Sequence, residues 1–108
     1  MAFPRDIEVE IEYLTTEAGG RKTPVKSGYR PQFYYNGHDW DAHHDYPDCD
    51  LVKPGEKVRA FLGFLSPKEH LGKVRPGMPF LIREGQHVVA FGSVTAIHCL
   101  PESAAKAR

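Results

Sequence analysis

The clearest feature of the chain is a regular alternation of apolar and polar residues close to its N-terminus. Apolar side chains occupy every second position from Ile7 to Tyr13, and acidic side chains lie between them. A period of two is typical of a β-strand with one face in the core and the other in water. The outward face carries Asp6, Glu8, Glu10 and Glu12. Such a face would repel RNA, but the favoured interpretation is a solvated face that discourages edge pairing.

Four further segments have the composition or the alternation of strands and are separated by turn residues. They are residues 31–35, 57–64, 80–83 and 87–100. Pro31 has no backbone donor, so the first of these strands is expected to start there or to lie at an edge. In the last segment the alternation slips by one position between Phe91 and Val94, which predicts either a bulge at Gly92 or a close approach of another segment there.

The connections between these strands include two long, basic loops. Residues 15–28 and 66–79 are rich in glycine and proline, which excludes a helix of useful length. The first loop is followed at once by Arg30 and holds three cations of its own: Arg21, Lys22 and Lys26. Composition alone describes it as an ordinary solvated loop. A third irregular segment, residues 38–50, follows the Asn36-Gly37 turn and is predicted to be a polar loop.

The end of the chain is predicted to have no regular structure. Pro101 is expected to end the last strand, and the residues after it are small and polar. The sequence thus predicts a domain over residues 1–100 and a flexible tail over residues 101–108. Five or six short strands without a convincing helix predict an all-β domain. A small closed antiparallel barrel best removes the exposed edges of such a sheet.

Length, charge and cysteine content restrict the class of protein. The chain has 108 residues, with 14 lysines and arginines against 14 acidic residues, so one domain is expected and no overall charge favours nucleic acid or membrane. No segment approaches the roughly 20 apolar residues of a membrane span, and the N-terminus lacks the apolar run of a secretory signal. Together with two cysteines far apart in sequence, this predicts a reduced cytoplasmic protein.

Residues 38–50 concentrate the side chains that could bind a metal. Imidazole and carboxylate groups suit zinc, nickel or copper, and the candidate ligands are His38, Asp39, His43, His44 and Cys49. Structural zinc sites usually draw ligand pairs from two separate elements, whereas these ligands share one stretch. In an extended segment His43 and His44 would also point to opposite sides. We predict no cofactor and only adventitious zinc or nickel affinity, and metal binding remains the alternative function.

The known signatures of catalysis are absent from the sequence. No GxxxxGK[ST] phosphate loop, GxSxG or HExxH motif occurs, no serine has a histidine base directly beside it, and His70 close to Ser66 is interpreted as a coincidence of the loop. The chain is therefore predicted to bind no nucleotide and not to be an enzyme.

Several segments together resemble the third, C-terminal domain of the bacterial elongation factor Tu family. They are residues 19–24, residues 28–35, residues 52–56 and residues 80–85, followed by Val89 and Gly92. They occur in the family's order between residues 7 and 98. The resemblance implies a six-stranded Greek-key barrel that binds other molecules without hydrolysing nucleotide. It also implies that the segment after Pro67 is longer here than in the family.

The resemblance implies a weak contact with the backbone of tRNA. The basic pair after the two glycines corresponds to Arg21 and Lys22, and the glutamine of the Arg-Pro-Gln run corresponds to Gln32. Arg30 adds a cation beside them, and cations that contact phosphate supply affinity without reading sequence. Where the family has a small turn near the RNA, this chain has Asp41, an anion that would weaken the contact.

The resemblance also implies a protein partner. In the family, one side of the domain packs on the GTPase domain, and the corresponding positions here are Gly19, Gly20, Tyr29 and Leu81. Without a covalently attached GTPase domain, this side is expected to bind a translation-related protein or a second copy. The rings expected to form an exposed apolar patch there, or alternatively to fill the core, are Tyr29, Phe33, Tyr34, Phe61 and Phe64.

Overall fold

The computed structural model describes residues 4–107, which form a closed six-stranded antiparallel barrel. The strands are β1 (Ile7–Tyr13), β2 (Gln32–Tyr35), β3 (His38–Asp45), β4 (Lys57–Phe64), β5 (Pro79–Glu84) and β6 (His87–Ile97). They follow one another around the barrel in the order β1-β4-β3-β2-β5-β6. Because β1 pairs with β4 and β6 but not with β2, the connectivity is that of a Greek key. The predicted all-β barrel is confirmed.

The first strand buries the face that its alternation predicts. Ile7, Val9 and Ile11 are fully buried, and Tyr13 is nearly so. Strand β2 begins directly after Pro31 and contributes Phe33 to the core. The other strands each add buried apolar residues to the same cluster. The barrel interior is therefore a packed core.

Asp6 is not on the outward face, which corrects the prediction of four solvated carboxylates. Its side chain is fully buried and accepts hydrogen bonds from the Phe64 N–H, at 2.8 Å, and from the Ser103 hydroxyl. Its backbone carbonyl accepts the N–H groups of His98 and Leu100. Burial raises the pKa of this carboxyl group. Asp6 precedes the first strand residue and serves as a junction between β1, β4 and the end of the chain.

The polar loop predicted over residues 38–50 is also wrong for its first part, since His38–Asp45 forms β3. Asn36 and Gly37 have φ angles of 50° and 77°, which is the conformation of a two-residue hairpin turn, and they pair Tyr35 with His38. The tight turn leaves the following residues in register with β2. Their alternation then buries Ala42 and His44 and turns His43 and Asp45 outward.

The irregularities of β6 lie elsewhere than predicted. Its register shifts by one residue opposite Glu8 and Val9 of β1 and again opposite Ile82 and Arg83 of β5, whereas no shift occurs at Gly92. A side chain at Gly92 would overlap the Glu10 carbonyl. The glycine therefore permits two backbones to approach closely, which confirms one of the two alternatives predicted for it, and no bulge occurs there.

In the described part of the tail predicted over residues 101–108, most residues are helical, and Arg108 lies outside the described residues. Helix α1 spans Leu100–Lys106, and Pro101 is compatible with it because the first turn of a helix needs no donor at that position. Leu100 and Ala104, one turn apart, are buried. The helix packs beside a single 3₁₀ turn, Pro67–Glu69, in the long loop after β4. Over residues 4–107 no helix has the length and apolar character needed to cross a membrane.

Candidate functional site

The Gly19-Gly20 loop lies against the hairpin between β5 and β6. Gly19 has a φ angle of 94°, which favours glycine, and a side chain at the buried Gly20 would overlap the carbonyl oxygens of Leu14 and Thr15. The His87 imidazole hydrogen-bonds the Gly19 carbonyl through Nε2. Both glycines are thus required by the shape of the loop, which is held at one end of the barrel.

Arg21, a predicted RNA contact, is held by partners within the chain. Its guanidinium forms an ion pair with Glu84 and donates to the Thr23 carbonyl and hydroxyl, at 3.3 and 3.0 Å. It also lies 5.1 Å from the centre of the Tyr29 ring. The Tyr29 hydroxyl donates to the same Glu84 oxygen at 2.6 Å, and burial, with the nearby carboxylate, raises the pKa of Tyr29. The charge of Arg21 is therefore largely balanced inside the protein.

The other predicted RNA-binding residues differ from Arg21. Lys22 and Arg30 are exposed, and within residues 4–107 neither takes part in an ion pair. Gln32 is half-buried between Asp41 and Arg83 on the neighbouring strands, and its Oε1 atom has no hydrogen-bond partner in the described part of the chain. Of the predicted RNA-binding residues, Lys22 and Arg30 are thus the exposed cations whose charge no ion pair in the described chain balances.

Acidic side chains lie on the same outer face. Asp39 is 3.7 Å from Arg83, whose guanidinium also lies 4.4 Å from the centre of the Tyr34 ring. Asp41 is exposed directly opposite Gln32. The anion expected to oppose RNA is therefore beside the predicted contact residue, and the face has mixed charge.

A row of apolar side chains crosses the outer surface next to this polar region. Leu81 is paired with Tyr34 on one side and with Phe91 on the other, and directly opposed side chains lie about 5 Å apart. Phe91 is 43% exposed, while Tyr34 and Leu81 are half-buried. We call these three residues the Leu81 row. A shallow concavity of about 310 Å³ adjoins it, lined by Tyr34, Tyr35, Asn36, Met78, Pro79, Phe80 and Leu81.

The exposed aromatic residue of this surface is one that the sequence reasoning missed. Of the rings expected either to form an exposed patch or to fill the core, Phe33 and Phe64 belong to the core and contact each other edge to face at 5.2 Å. Tyr29, Tyr34 and Phe61 are half-buried. Phe91 is an apolar residue of a predicted strand, but the register shifts of β6 prevent its outward orientation from being deduced from the alternation alone.

The predicted metal ligands of β3 are separated by the strand. His43 lies on the outer side and His44 is fully buried. His44 hydrogen-bonds the Tyr46 hydroxyl at 2.9 Å, and that hydroxyl lies 2.6 Å from the Tyr13 hydroxyl. Burial lowers the pKa of His44 to about 3. Among residues 4–107 no three or more His, Cys, Asp or Glu side chains are grouped as a metal site would require.

A second buried imidazole, His70, lies in the loop that the sequence describes only as basic. Its ring stacks on Phe64 at 3.9 Å between centroids and meets Trp40 edge-on, and its Nδ1 is 2.7 Å from the Tyr35 hydroxyl. Burial lowers the pKa of His70 to about 4. His70 is therefore a neutral core residue at neutral pH, and no local pattern marks it as one.

Comparison with models of protein families gives a match over residues 3–98 to the one described as the elongation factor Tu C-terminal domain. The matched segment contains all six strands and ends before α1.

Proposed function

Because the chain belongs to the elongation factor Tu C-terminal domain family, we propose that it is a non-catalytic, cytoplasmic binding module of translation. It docks on a protein partner through the Leu81 row and contacts tRNA backbone weakly beside that row. The family supports a translation-factor-like role. The choice of partner and the contact residues are our proposal.

The Leu81 row is the observation that carries the protein-binding part. Phe91 is among the few large apolar side chains that are substantially exposed in the described part of the chain, and Leu81 and Tyr34 extend it across three strands. Large aromatic side chains beside a concave apolar surface are the usual anchors of protein interfaces. A GTPase-domain partner fits this surface, since the family resemblance assigns the Leu81 side of the barrel to that contact.

The Arg21 cluster supports the same role by fixing the shape of the surface. Arg21, Tyr29 and Glu84 join the Gly19-Gly20 loop to the end of β5. A loop that is already ordered loses less conformational entropy when a partner binds. We therefore assign Arg21 to positioning the partner surface, and we assign phosphate contact mainly to Lys22 and Arg30.

The protein-binding part can be tested with an elongation factor Tu that lacks its third domain. We expect the purified fragment to bind this chain at micromolar concentrations, measured by isothermal titration calorimetry. Phe91→Ser should weaken binding about tenfold or more, because it removes the exposed anchor. Leu71→Ser is the matched control. Leu71 is 50% exposed and lies in the loop between β4 and β5, outside the Leu81 row. Equal affinities for Phe91→Ser and the unchanged chain, or no binding at all, would refute this part.

The RNA part can be tested by titrating salt against the binding of a folded tRNA. Replacing Lys22 and Arg30 together by alanine should lower the slope of log affinity against log salt by about 2, one for each phosphate contact. Arg21→Ala should change the slope less, because Glu84 already balances that cation. An unchanged slope in the double variant would exclude Lys22 and Arg30 as phosphate contacts.

A further inference from the structure

A groove at the end of the barrel lies between α1 and the segment that follows β4. It has a volume of about 540 Å³ and a mostly apolar lining. One wall contains Phe64, Leu65 and Pro67, and the wall formed by α1 contains Glu102, Ser103 and Lys106. We call it the terminal groove. It shares no residue with the Leu81 row, so its function is independent of the function proposed above.

The wall of the terminal groove that α1 forms lies outside the family match. That match ends at residue 98, and α1 begins at Leu100. The opposite wall, with Phe64, Leu65 and Pro67, lies within the match. The family match therefore covers only part of the groove.

The wall formed by α1 is held in place from below. Leu100 and Ala104 are buried, and the Ser103 hydroxyl donates to the buried Asp6 carboxylate. Glu102 and Lys106 are exposed residues of α1, and both line the groove. The groove is therefore preformed in the single chain.

We propose that a second copy of this chain fills the terminal groove, with the two α1 helices antiparallel about a twofold axis. A twofold interface must be self-complementary, and this patch contains both halves of each contact. Leu65, which lines the groove and is 43% exposed, is the apolar anchor that each copy offers to the other. Glu102 and Lys106 are one helical turn apart, so antiparallel helices place each glutamate opposite the lysine of the other copy.

The charges of the groove are available for such pairing. Neither Glu102 nor Lys106 forms an ion pair within residues 4–107. The whole dimer would have two exposed ion pairs, and each copy would supply one apolar anchor, which makes a modest interface. A dimer with a dissociation constant in the micromolar range, weakened by salt, is expected.

Sedimentation velocity of the full chain over a range of concentrations tests the dimer. Leu65→Ser should raise the dissociation constant about tenfold or more. Lys106→Glu should raise it about tenfold, because it places like charges opposite each other. Exchanging the two charges, with Glu102→Lys and Lys106→Glu together, should restore dimerisation to within about threefold, since each pair is re-formed with reversed sign.

The controls separate this interface from loss of folding and from other contacts. Leu71→Ser removes a similarly exposed leucine outside the groove, and Ala105→Glu adds a charge to α1 at an exposed position that does not line the groove. Both should dimerise like the unchanged chain, and circular dichroism should show the same fold in every variant. A chain that stays monomeric throughout, or a dimer that tolerates Leu65→Ser and Lys106→Glu, would overturn the proposal. Failure of the charge exchange to restore the dimer would overturn the antiparallel arrangement.

Discussion

The two buried imidazoles, His44 and His70, should make the folded state lose stability as the pH falls below about 6.5. Burial lowers the pKa of His44 to about 3 and that of His70 to about 4. Around His44 are Tyr46, Tyr29 and the neighbouring His43, and Lys73 is the charged group that acts on His70. Since the unfolded chain binds protons at these residues at a higher pH than the folded chain does, protonation favours unfolding.

The expected size of the effect follows from the two pKa values. The contribution of the two neutral imidazoles to the free energy of unfolding is fully present above about pH 6.5. Below that pH it falls by up to about 1.4 kcal/mol per pH unit for each imidazole. At pH 5 each histidine then lowers the free energy of unfolding by about 2 kcal/mol relative to pH 8, and the pair lowers it by about 4 kcal/mol. That is a large part of the stability of an ordinary domain, about 5–15 kcal/mol.

One buried group acts in the opposite direction. The pKa of Asp6 is raised by burial, so the folded chain takes up this proton before the unfolded chain does. Lowering the pH through the raised value therefore stabilises the fold at that position. The imidazole effect is best measured from pH 8 to pH 5, where the two histidines are expected to outweigh the single carboxyl group.

Urea unfolding at several pH values measures the effect. His70→Phe keeps a flat ring against Phe64 and Trp40 but removes the titrating group, so the loss between pH 8 and pH 5 should fall from about 4 to about 2 kcal/mol. The pH dependence is the readout, because the unpaired Tyr35 hydroxyl lowers stability at every pH. His38→Gln, at an exposed position of β3, should keep the full loss. A loss as large in His70→Phe as in the unchanged chain would refute the reasoning.

Two further substitutions test the packing of the barrel and of α1. Gly92→Ala should destabilise the fold by about 2–4 kcal/mol in thermal or urea unfolding, because the new methyl group would overlap the Glu10 carbonyl. The control Ser93→Ala should be nearly neutral. Equal stabilities of the Gly92→Ala variant and the unchanged chain would contradict the close approach. Ser103→Ala should lower stability by about 1–2 kcal/mol, since the buried Asp6 carboxylate loses a donor. In the Ser103→Ala variant, amide hydrogen exchange in α1 should also become faster, and unchanged protection there would argue against a link between the helix and Asp6.

The elements that were predictable are those whose signal is local. The alternation from Ile7 to Tyr13 needs only its own residues, and β1 was predicted correctly. Strand β3 was missed because its imidazoles and carboxylates have the composition of a loop, although the Asn36-Gly37 hairpin turn before it was a usable signal. Helix α1 is not predictable from Pro101, because a proline that follows a strand indicates the end of regular structure, whereas proline is also tolerated in the first turn of a helix.

The parts of the candidate site that were not predictable depend on contacts between distant segments. Arg21 was expected to be a phosphate contact, but its charge is balanced by Glu84, which lies 63 positions away in sequence. His70 appeared to be one basic residue among several in a loop, and only the folding of that loop over Phe64 buries it. In both cases the chemistry of a side chain is decided by a neighbour that no spacing rule identifies.

The Asp6 junction also decides how the barrel can be attached to other polypeptides. Its carboxylate meets Ser103 and its carbonyl meets His98 and Leu100, so both ends of the described chain leave the barrel at the same pole. A longer protein could therefore carry this barrel as a lobe whose entry and exit lie side by side, without stretching a linker across the sheet. Pro4 and Ala107, the first and last described residues, both line the terminal groove, so association measurements call for a chain from which terminal fusions have been cleaved.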